Sequence, residues 1–265
     1  MIPLTDTHCH LDFTLFNNDR ETAVSRARDA GVIRILNPGI DVESSRAAVE
    51  IAETTPEVFA ACGVHPNDAL TWKADTLDEL RKLAGHEKIV AIGEIGLDYY
   101  RDRTPEDVQK FVFRSQLTLA AELGLPVIIH NRQASEDIMD MLAVWHQELI
   151  ASGSPLVQSP GVLHSFSADI ITARRALELN FFIGITGPIT FRNADDLRQI
   201  IRSIPLSSLL IETDSPFLTP HPHRGERNEP AFVRWVAEKI SEVHNLPIQV
   251  VAEKTTSNSN LLFGW

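Results

Sequence analysis

Six side chains of the types that bind metal ions stand at the ends of short apolar runs in this sequence. They are His8, His10, Glu94, His130, His164 and Asp214. Imidazole nitrogens and carboxylate oxygens are ligands of Zn and Mn and, with added waters, of Mg. Three or four such ligands complete the protein shell of one ion. Six of them therefore predict a site for two divalent metal ions, and the choice among Mg, Mn and Zn stays open.

Each of these residues is a weak signal when it is taken alone. Two histidines separated by one residue, such as His8 and His10, can simply be buried hydrogen-bonding side chains. A lone histidine at the end of an apolar run, such as His130 or His164, is more often a satisfied core residue than a ligand. A buried carboxylate such as Glu94 is unfavourable unless a cation or hydrogen-bond donors compensate it. The metal hypothesis therefore requires a fold that brings the six together.

Strand-like apolar runs alternate with helix-like segments along the whole chain. Eight runs cover residues 2–6, 32–37, 58–64, 89–96, 126–130, 161–164, 181–186 and 209–214. One intervening segment, 108–124, has an apolar stripe at helical spacing and stops at Gly124. This alternation predicts a parallel sheet covered by helices, and eight units favour a (β/α)8 TIM-type barrel forming a single domain over residues 1–265. A doubly wound open sheet is the structural alternative.

In barrels of this type the reactive side chains lie at the carboxyl ends of the strands. Every metal-ligand candidate lies at or close to the end of a predicted strand, and so does His65. Alternation of side chains along a strand places His8 and His10 on one face and Cys9 on the other, and it separates His65 from Cys62 in the same way. We expect both cysteines to be structural packing residues.

Four further polar residues near the strand ends have less certain roles. Glu212 stands two residues before Asp214 and would face the same way in a regular strand, so we interpret it as a residue that supports a ligand or bends the strand. His65 is either a proton donor to a leaving group or a cap on its loop. Asp12 and Asp98 are equally open.

Three basic residues lie just beyond predicted strand ends. Arg132, His223 and Arg224 are our candidates for substrate binding, because a guanidinium group matches the geometry of phosphate oxygens with two parallel hydrogen bonds. Ordinary surface charge is the alternative for each of them.

Composition limits the class of protein and its partners. The net charge is −12, from 24 basic and 36 acidic residues, which argues against nonspecific binding along a polyanion. A metal pair would still make the site itself positive, so a nuclease is not excluded. Only two cysteines occur and no apolar run is long enough to span a bilayer. With no secretory signal pattern at the start, we expect a cytoplasmic protein without a membrane partner.

The motifs of the chain resemble, in order and spacing, those of the TatD family of metal-dependent deoxyribonucleases. They are DTHCHLD, GVHP, GEIGLDYY, PVIIHNR, GVLHSFS, ETDSPFLTP, PHRGERNEP and TTSNSNLLF. The resemblance covers nearly the whole chain and implies that His8, His10 and Asp214 hold one metal, that His130 and His164 hold the other, and that Glu94 bridges them. One departure is the last motif, where the family more often has an Asn-Ala or Asn-Thr pair.

The resemblance implies a 3′-to-5′ exonuclease of single-stranded DNA, with RNA as a further possible substrate. Glu94 would bridge the ions, Asp214 would accept a proton from the attacking water, and His65 or an acid next to the ligands would protonate the leaving oxygen. A hydrolase of carboxyl esters or amides, such as a D-aminoacyl-tRNA deacylase, is the first alternative. A noncatalytic metal-dependent binding protein is the second. The oligomeric state stays open, and a monomer is compatible with the sequence.

Overall fold

The computed structural model describes residues 2–265 and contains one eight-stranded parallel sheet. Its strands follow one another in chain order, each hydrogen-bonded to the next. They are β1 Leu4–Asp6, β2 Val32–Pro38, β3 Val58–Cys62, β4 Ile89–Asp98, β5 Val127–Arg132, β6 Gly161–Leu163, β7 Phe182–Ile185 and β8 Leu209–Ile211. A doubly wound sheet would reverse its strand order at a switch point. The consecutive order confirms the TIM-type barrel.

The two ends of the sheet meet just beyond β1 and β8. The backbone N–H of Thr7 donates to the carbonyl oxygen of Ile211 at 3.1 Å, and the N–H of Asp214 donates to that of His8 at 2.9 Å. Cys9 and Ser215 then form a parallel bridge. The segments that close the barrel are therefore those that carry the first and last ligand candidates.

Nine helices connect or follow the strands within the described residues. They are α1 Arg20–Asp29, α2 Val42–Thr54, α3 Thr76–Leu83, α4 Glu106–Leu123, α5 Ser135–Ser152, α6 Ile170–Glu178, α7 Asp195–Ser203, α8 Val233–His244 and α9 Ile248–Phe263. The predicted stop of α4 is found at Gly124, which adopts a left-handed φ of 68° at the helix end. Among residues 2–265, none of the helices combines the length and the apolar character that crossing a bilayer requires.

Alternation along the strands produces two apolar layers. In β5, Val127 and Ile129 belong to the large core under the helices, whereas Ile128 belongs to a smaller cluster with Leu36 and Leu210. Leu262 and Phe263 of α9 join this smaller cluster. The smaller cluster therefore fills the barrel interior, and the C-terminal helix contributes to it.

Strand ends differ from the predicted ones where the site is built. β1 ends at Asp6 and β8 at Ile211, so His8, His10 and Asp214 lie in the segments that follow. Asp214 has a φ of 55°, outside the range of a strand. The expectation of a regular strand through 209–214 was therefore wrong. β4, in contrast, continues two residues further than predicted, to Asp98.

Candidate metal centre

A cavity of about 680 Å³ opens at the carboxyl ends of the strands. Five of the six metal-ligand candidates line it, and the sixth, His8, lies behind them with none of its surface exposed. His65 also lines the cavity. The structure therefore brings together, from the ends of five different strands, the residues that the sequence singled out for metal binding.

Glu94 lies at the centre of this group and is buried. Its Oε2 is 3.3 Å from Nε2 of His8 and 3.7 Å from Nε2 of His10. Its Oε1 is 2.8 Å from Nδ1 of His130 and 3.7 Å from Nε2 of His65. The two oxygens of one carboxylate thus face two different sets of imidazoles.

Close backbone packing holds Glu94 in place. Gly96, two residues later in β4, has a φ of 143°, and a Cβ there would lie 2.0 Å from the carbonyl oxygen of His130. Only glycine fits this position. The glycines of the GEIG motif therefore allow β4 to approach β5 closely enough for Glu94 to meet His130.

The first set of ligand atoms comes from the segments that close the barrel. Nε2 of His8 and Nε2 of His10 are 3.2 Å apart, and both face Oδ1 of Asp214 at 3.7–3.8 Å. Nδ1 of each of these two histidines is buried and makes no hydrogen bond within the described residues. Two nitrogens and two carboxylate oxygens thus converge on one buried point, as the ligands of a cation do.

His130 is oriented by a second carboxylate. Its Nδ1 faces Glu94, while its Nε2 lies 3.3 Å from Oδ2 of Asp98, which is 1% exposed. A metal-binding histidine commonly donates its other ring N–H to such a carboxylate, which fixes the ring and its tautomer. Asp98 thus orients His130, and Nδ1, which is hydrogen-bonded to Glu94, is the nitrogen that a cation would contact.

His164 is also oriented by a carboxylate, but through its Nδ1 instead of its Nε2. Its Nδ1 lies 2.9 Å from Oε2 of Glu212, which is fully buried and also accepts the backbone N–H of Ser165 at 3.0 Å. A Cβ on Gly184 would fall 2.3 Å from this carboxylate, so the glycine makes room for it. Nε2 of His164 is left to face Asp214 at 3.7 Å and Glu94 at 3.9 Å.

His65 differs from the other histidines in its tautomer. Its Nδ1 accepts the backbone N–H of Asn67 at 3.1 Å, so it caps the loop after β3. In the neutral ring the proton must then be on Nε2, the atom that faces Glu94. In this tautomer His65 presents an N–H donor to the cavity, and its Nε2 could bind a cation only after losing that proton.

Burial and mutual charge set the protonation of the centre. Burial raises the pKa of Glu94, but the imidazoles of His8 and His65 and the hydrogen bond from His130 outweigh it and hold the pKa well below its usual range. Burial raises the pKa of Asp214, partly offset by His164. Glu94 is therefore the permanent negative charge of the site, and Asp214 is the better proton acceptor.

Burial and neighbouring charge also divide the histidines into two classes. Burial, with the charge of His8, lowers the pKa of His10 to about 3, and burial with the charge of His130 lowers that of His65 to about 3. Burial also disfavours charge on His164, but the carboxylate of Glu212 outweighs it and raises the pKa to about 9. His10 is therefore neutral at pH 7, whereas His164 holds an extra proton until something displaces it.

These donors fit divalent cations. Three groups of ligand atoms each lie within 4.8 Å of one another: His8 with His10 and Glu94, His8 with His164 and Asp214, and His65 with Glu94 and His130. The nitrogen and oxygen donors suit Zn, Mn or Mg. In these three groups His164 belongs with Asp214, whereas the family resemblance implies that it binds the same ion as His130. Its Nε2 lies between the two sets, within 4 Å of both carboxylates.

The rim of the cavity is basic on one side. Arg132 lines it as the sequence suggested, together with Arg101 and Arg103 of the loop after β4, which sequence reasoning missed. His223 and Arg224 do not line it: His223 stacks on Phe232 at 4.1 Å, and Arg224 lies over the ring of Phe191 at 4.0 Å. The structure therefore brings only one of the three basic candidates to the cavity.

The remaining rim is apolar, and the cysteines lie elsewhere. Phe13 and Phe217 line the cavity with their rings 5.8 Å apart. Cys9 and Cys62 are buried and free, and burial raises the pKa of both thiols. Asp12 does not line the cavity, and burial raises its pKa to about 6.

Comparison with known proteins agrees with this architecture. The model of the family described as TatD related DNase matches residues 5–264. A metal-dependent hydrolase of Bacillus subtilis, YabD, described as uncharacterized, is 42% identical over 260 residues, 98% of each chain. The protein named 3′-5′ ssDNA/RNA exonuclease TatD of Pantoea ananatis is 35% identical over 265 residues, again 98% of each chain.

A solved structure has the same fold over the full length. The crystal structure of YjjV, a TatD homologue from Escherichia coli, superposes with a TM-score of 0.91 and 32% identity, and the match covers 100% of both chains. The expectation drawn from the motifs is thereby confirmed. The chain belongs to the TatD family of metal-dependent hydrolases.

Proposed function

We propose that this hydrolase is a 3′-to-5′ exonuclease of single-stranded DNA that also accepts RNA. The observation that carries the proposal is the position of Glu94, whose two oxygens face two sets of imidazoles at the base of a cavity with three arginines on its rim. The names of the Pantoea relatives support the same substrate class.

In this proposal the centre would hold two divalent ions. His8, His10 and Asp214 would hold one, His130 and His164 would hold the other, and Glu94, which faces both sets of imidazoles, would bind both. When bound, such ions lower the pKa of a water and stabilise negative charge on the attacking and leaving oxygens of a phosphodiester. The protein then needs no nucleophile of its own, which agrees with the burial of Cys9 and Cys62.

The side chains of the cavity supply the proton transfer and the orientation. Asp214, with its raised pKa, accepts the proton of the attacking water. Its side chain is 16% exposed, so the cavity can deliver water to it. Arg132, Arg101 and Arg103 orient the phosphate, because guanidinium groups bind phosphate oxygens in pairs of hydrogen bonds.

His65 has a narrower role than proton delivery. With a pKa lowered to about 3 it is neutral at working pH, and its Nε2–H points into the cavity. A neutral imidazole donates a hydrogen bond to a developing oxyanion without giving up its proton. We assign His65 to stabilising the leaving oxygen, and a water to protonating it.

The direct test is cleavage of single-stranded DNA labelled at its 3′ or its 5′ end. Metal-free full-length protein is titrated with Mg, Mn or Zn, with Glu94→Ala as the inactive variant. Glu122→Ala is the matched control, because Glu122 is exposed on α4 and, among residues 2–265, forms an ion pair with Arg81 alone. Stepwise shortening from the 3′ end that requires metal and Glu94, and persists in the control, is the expected result.

Two outcomes contradict the proposal. Shortening that survives both chelation and Glu94→Ala removes the metal mechanism. No shortening with any ion, in protein whose circular dichroism shows it folded, removes the nuclease. A panel of carboxyl esters, amides and D-aminoacyl-tRNA then tests the carbonyl alternative on the same samples.

A further inference from the structure

A second pocket adjoins the metal cavity on the side of β5. It has a volume of about 400 Å³ and is lined by Tyr100, Asn131, Arg132, Gln133, Ser135, Ser167 and Ala168. Asn131, Arg132 and Ser167 also line the metal cavity, so the two pockets share one wall. A molecule that extends beyond the metal cavity on this side enters the second pocket.

Arg132 stands at the boundary between the two pockets, stacked on an aromatic ring. Its guanidinium carbon lies 3.9 Å from the centre of the Tyr100 ring. Stacking of this kind holds the guanidinium plane while leaving its N–H groups free to bind an anion. Of the described residues that line the second pocket, Arg132 alone is charged. The boundary is therefore suited to a phosphate.

Tyr100 is an aromatic residue exposed on a fixed backbone. Its side chain is 55% exposed, although one face of its ring is covered by Arg132. The carboxylate of Asp98 accepts the backbone N–H of Tyr100 and that of Arg101, each at 3.0 Å. The same carboxylate contacts His130 in the metal centre. The ring is thus held in a fixed relation to the metal ligands and has surface available for stacking.

The polar lining of the pocket provides hydrogen-bonding groups next to this ring. Oδ1 of Asn131 is buried and has no hydrogen-bond partner within the described residues, while its Nδ2 donates to Ser135 at 3.0 Å. A nucleobase offers both a stacking face and edge N–H donors. The two amide and two serine side chains of the pocket lining can pair with the edge of such a base.

We propose that this second pocket binds the second nucleotide from the 3′ end. Its base stacks on Tyr100, and the phosphate between the first and second nucleotides contacts Arg132. The proposal rests on the exonuclease function and gives its preference for single strands a physical basis. A base within a duplex is already stacked on both sides, so only a single strand, or a strand opened at its end, can place a base on Tyr100.

The test measures binding by full-length, metal-loaded protein. The probe is an oligothymidylate of eight nucleotides with phosphorothioate linkages, which slow cleavage, and with one 2-aminopurine at position 1, 2, 3 or 4 from the 3′ end. Stacking quenches 2-aminopurine fluorescence. We expect strong quenching at position 2, and we expect Tyr100→Ala to remove it and to weaken binding about 5- to 150-fold, the range for loss of one base–aromatic stack.

Two variants separate the ring from structural effects. Tyr100→Phe keeps the ring and restores the quenching, whereas Phe111→Ala removes another exposed aromatic residue, on α4, and leaves binding at the wild-type level. Arg132→Ala, compared with Arg234→Ala on α8, reduces the slope of log Kd against log salt by about 0.7, the value for one phosphate contact on a single strand.

The outcomes distinguish this proposal from the exonuclease function. Tyr100-dependent quenching without any cleavage of phosphodiester DNA supports the pocket and removes the exonuclease. Cleavage with wild-type quenching in Tyr100→Ala overturns the pocket and leaves the exonuclease. An oligonucleotide with an abasic residue at position 2 that binds as tightly as the intact one also overturns the pocket, and so does an absence of binding.

Discussion

Zinc binding should release a proton from His164 at neutral pH, by an amount that the structure fixes. The carboxylate of Glu212 outweighs the effect of burial and raises the pKa of His164 to about 9 in the metal-free protein. At pH 7 only about 1% of these rings then lack the second proton. The Nδ1–H bond to Glu212 is retained, so the ion must replace the proton on Nε2.

The free energy needed to remove this proton is set by the difference between pH 7 and the pKa of His164. Two pKa units correspond to about 3 kcal/mol, or a factor of about 100 in affinity. Zinc affinity should therefore rise about tenfold per pH unit from pH 7 to 9 through His164 alone and level off above that. His130, whose pKa is also raised because its bonds to Asp98 and Glu94 outweigh burial, adds to the slope.

Glu212→Gln isolates the contribution of His164. The amide has no charge to hold the second proton, so the pKa of His164 returns towards 6.5 and the slope between pH 7 and 9 falls by about one proton. Loss of the orienting carboxylate also weakens zinc binding, by about 10- to 100-fold. The two affinity curves should thus lie far apart at pH 9 and converge at pH 7, where the wild type must first lose its proton.

The assay is zinc competition against a chromophoric chelator between pH 6.5 and 9, with calorimetry in two buffers of different ionisation enthalpy to count released protons. Melting of the metal-free protein gives an independent check. Because the pKa of His164 is raised in the folded protein, protonation of this ring stabilises the metal-free protein by an amount on the order of 3 kcal/mol. This stabilisation is complete below about pH 6.5 and is lost as pH rises through 9. Parallel affinity curves, or equal proton release in both proteins, would refute the reasoning.

Three further predictions use other parts of the site and core. Gly96→Ala should destabilise the protein by about 2–5 kcal/mol, because the new Cβ strains the backbone and overlaps the carbonyl oxygen of His130. Gly124→Ala is the control and should destabilise it by about 1 kcal/mol, because a Cβ there meets nothing within 4 Å. Urea unfolding measures both changes. Asp98→Asn should weaken zinc binding about 10- to 100-fold at pH 9, because His130 loses its orienting carboxylate, and an unchanged affinity would contradict that role. Cys9 and Cys62 should react with a thiol reagent only at the rate of unfolding, since both are fully buried with raised pKa values; fast labelling of native protein would contradict the burial.

The metal-ligand candidates could be found from the sequence because a parallel barrel collects the carboxyl ends of all its strands at one mouth. Order along the chain then suffices: a polar residue directly after a buried strand must lie near that mouth. Glu94 shows the strength of the pattern, since every residue of β4 from Ile89 to Asp98 is buried, and a carboxylate in such a strand needs a partner.

The rim arginines needed more than strand order. Arg101 and Arg103 lie in the loop after β4, whose course depends on Asp98 and on Gln109, a buried side chain that donates to the carbonyl oxygens of Asp98 and Thr104. The turn at Asp98 could have been predicted from the sequence, because an aspartate that accepts backbone N–H groups two and three residues later is a common local turn. The role of Gln109 could not have been predicted, because a glutamine in a helix normally faces solvent.

His223 and Arg224 show where strand order stops being informative. Both follow the end of β8, but Arg224 packs on Phe191, which follows β7, and His223 packs on Phe232, just before α8. Contacts between long loops depend on side chains far apart in the sequence. Proximity to a strand end therefore predicts a short loop better than a long one.

The pair Glu212 and Asp214 shows how an irregular strand end can serve the site better than a regular one. Regular alternation would point both carboxylates at the same ligands, and two buried like charges side by side are unfavourable. Because β8 ends at Ile211 and Asp214 takes a left-handed φ, Glu212 reaches Nδ1 of His164 and Asp214 faces its Nε2. The two carboxylates thus contact opposite nitrogens of one ring, so that a cation placed beside Asp214 is coupled through His164 to the charge of Glu212.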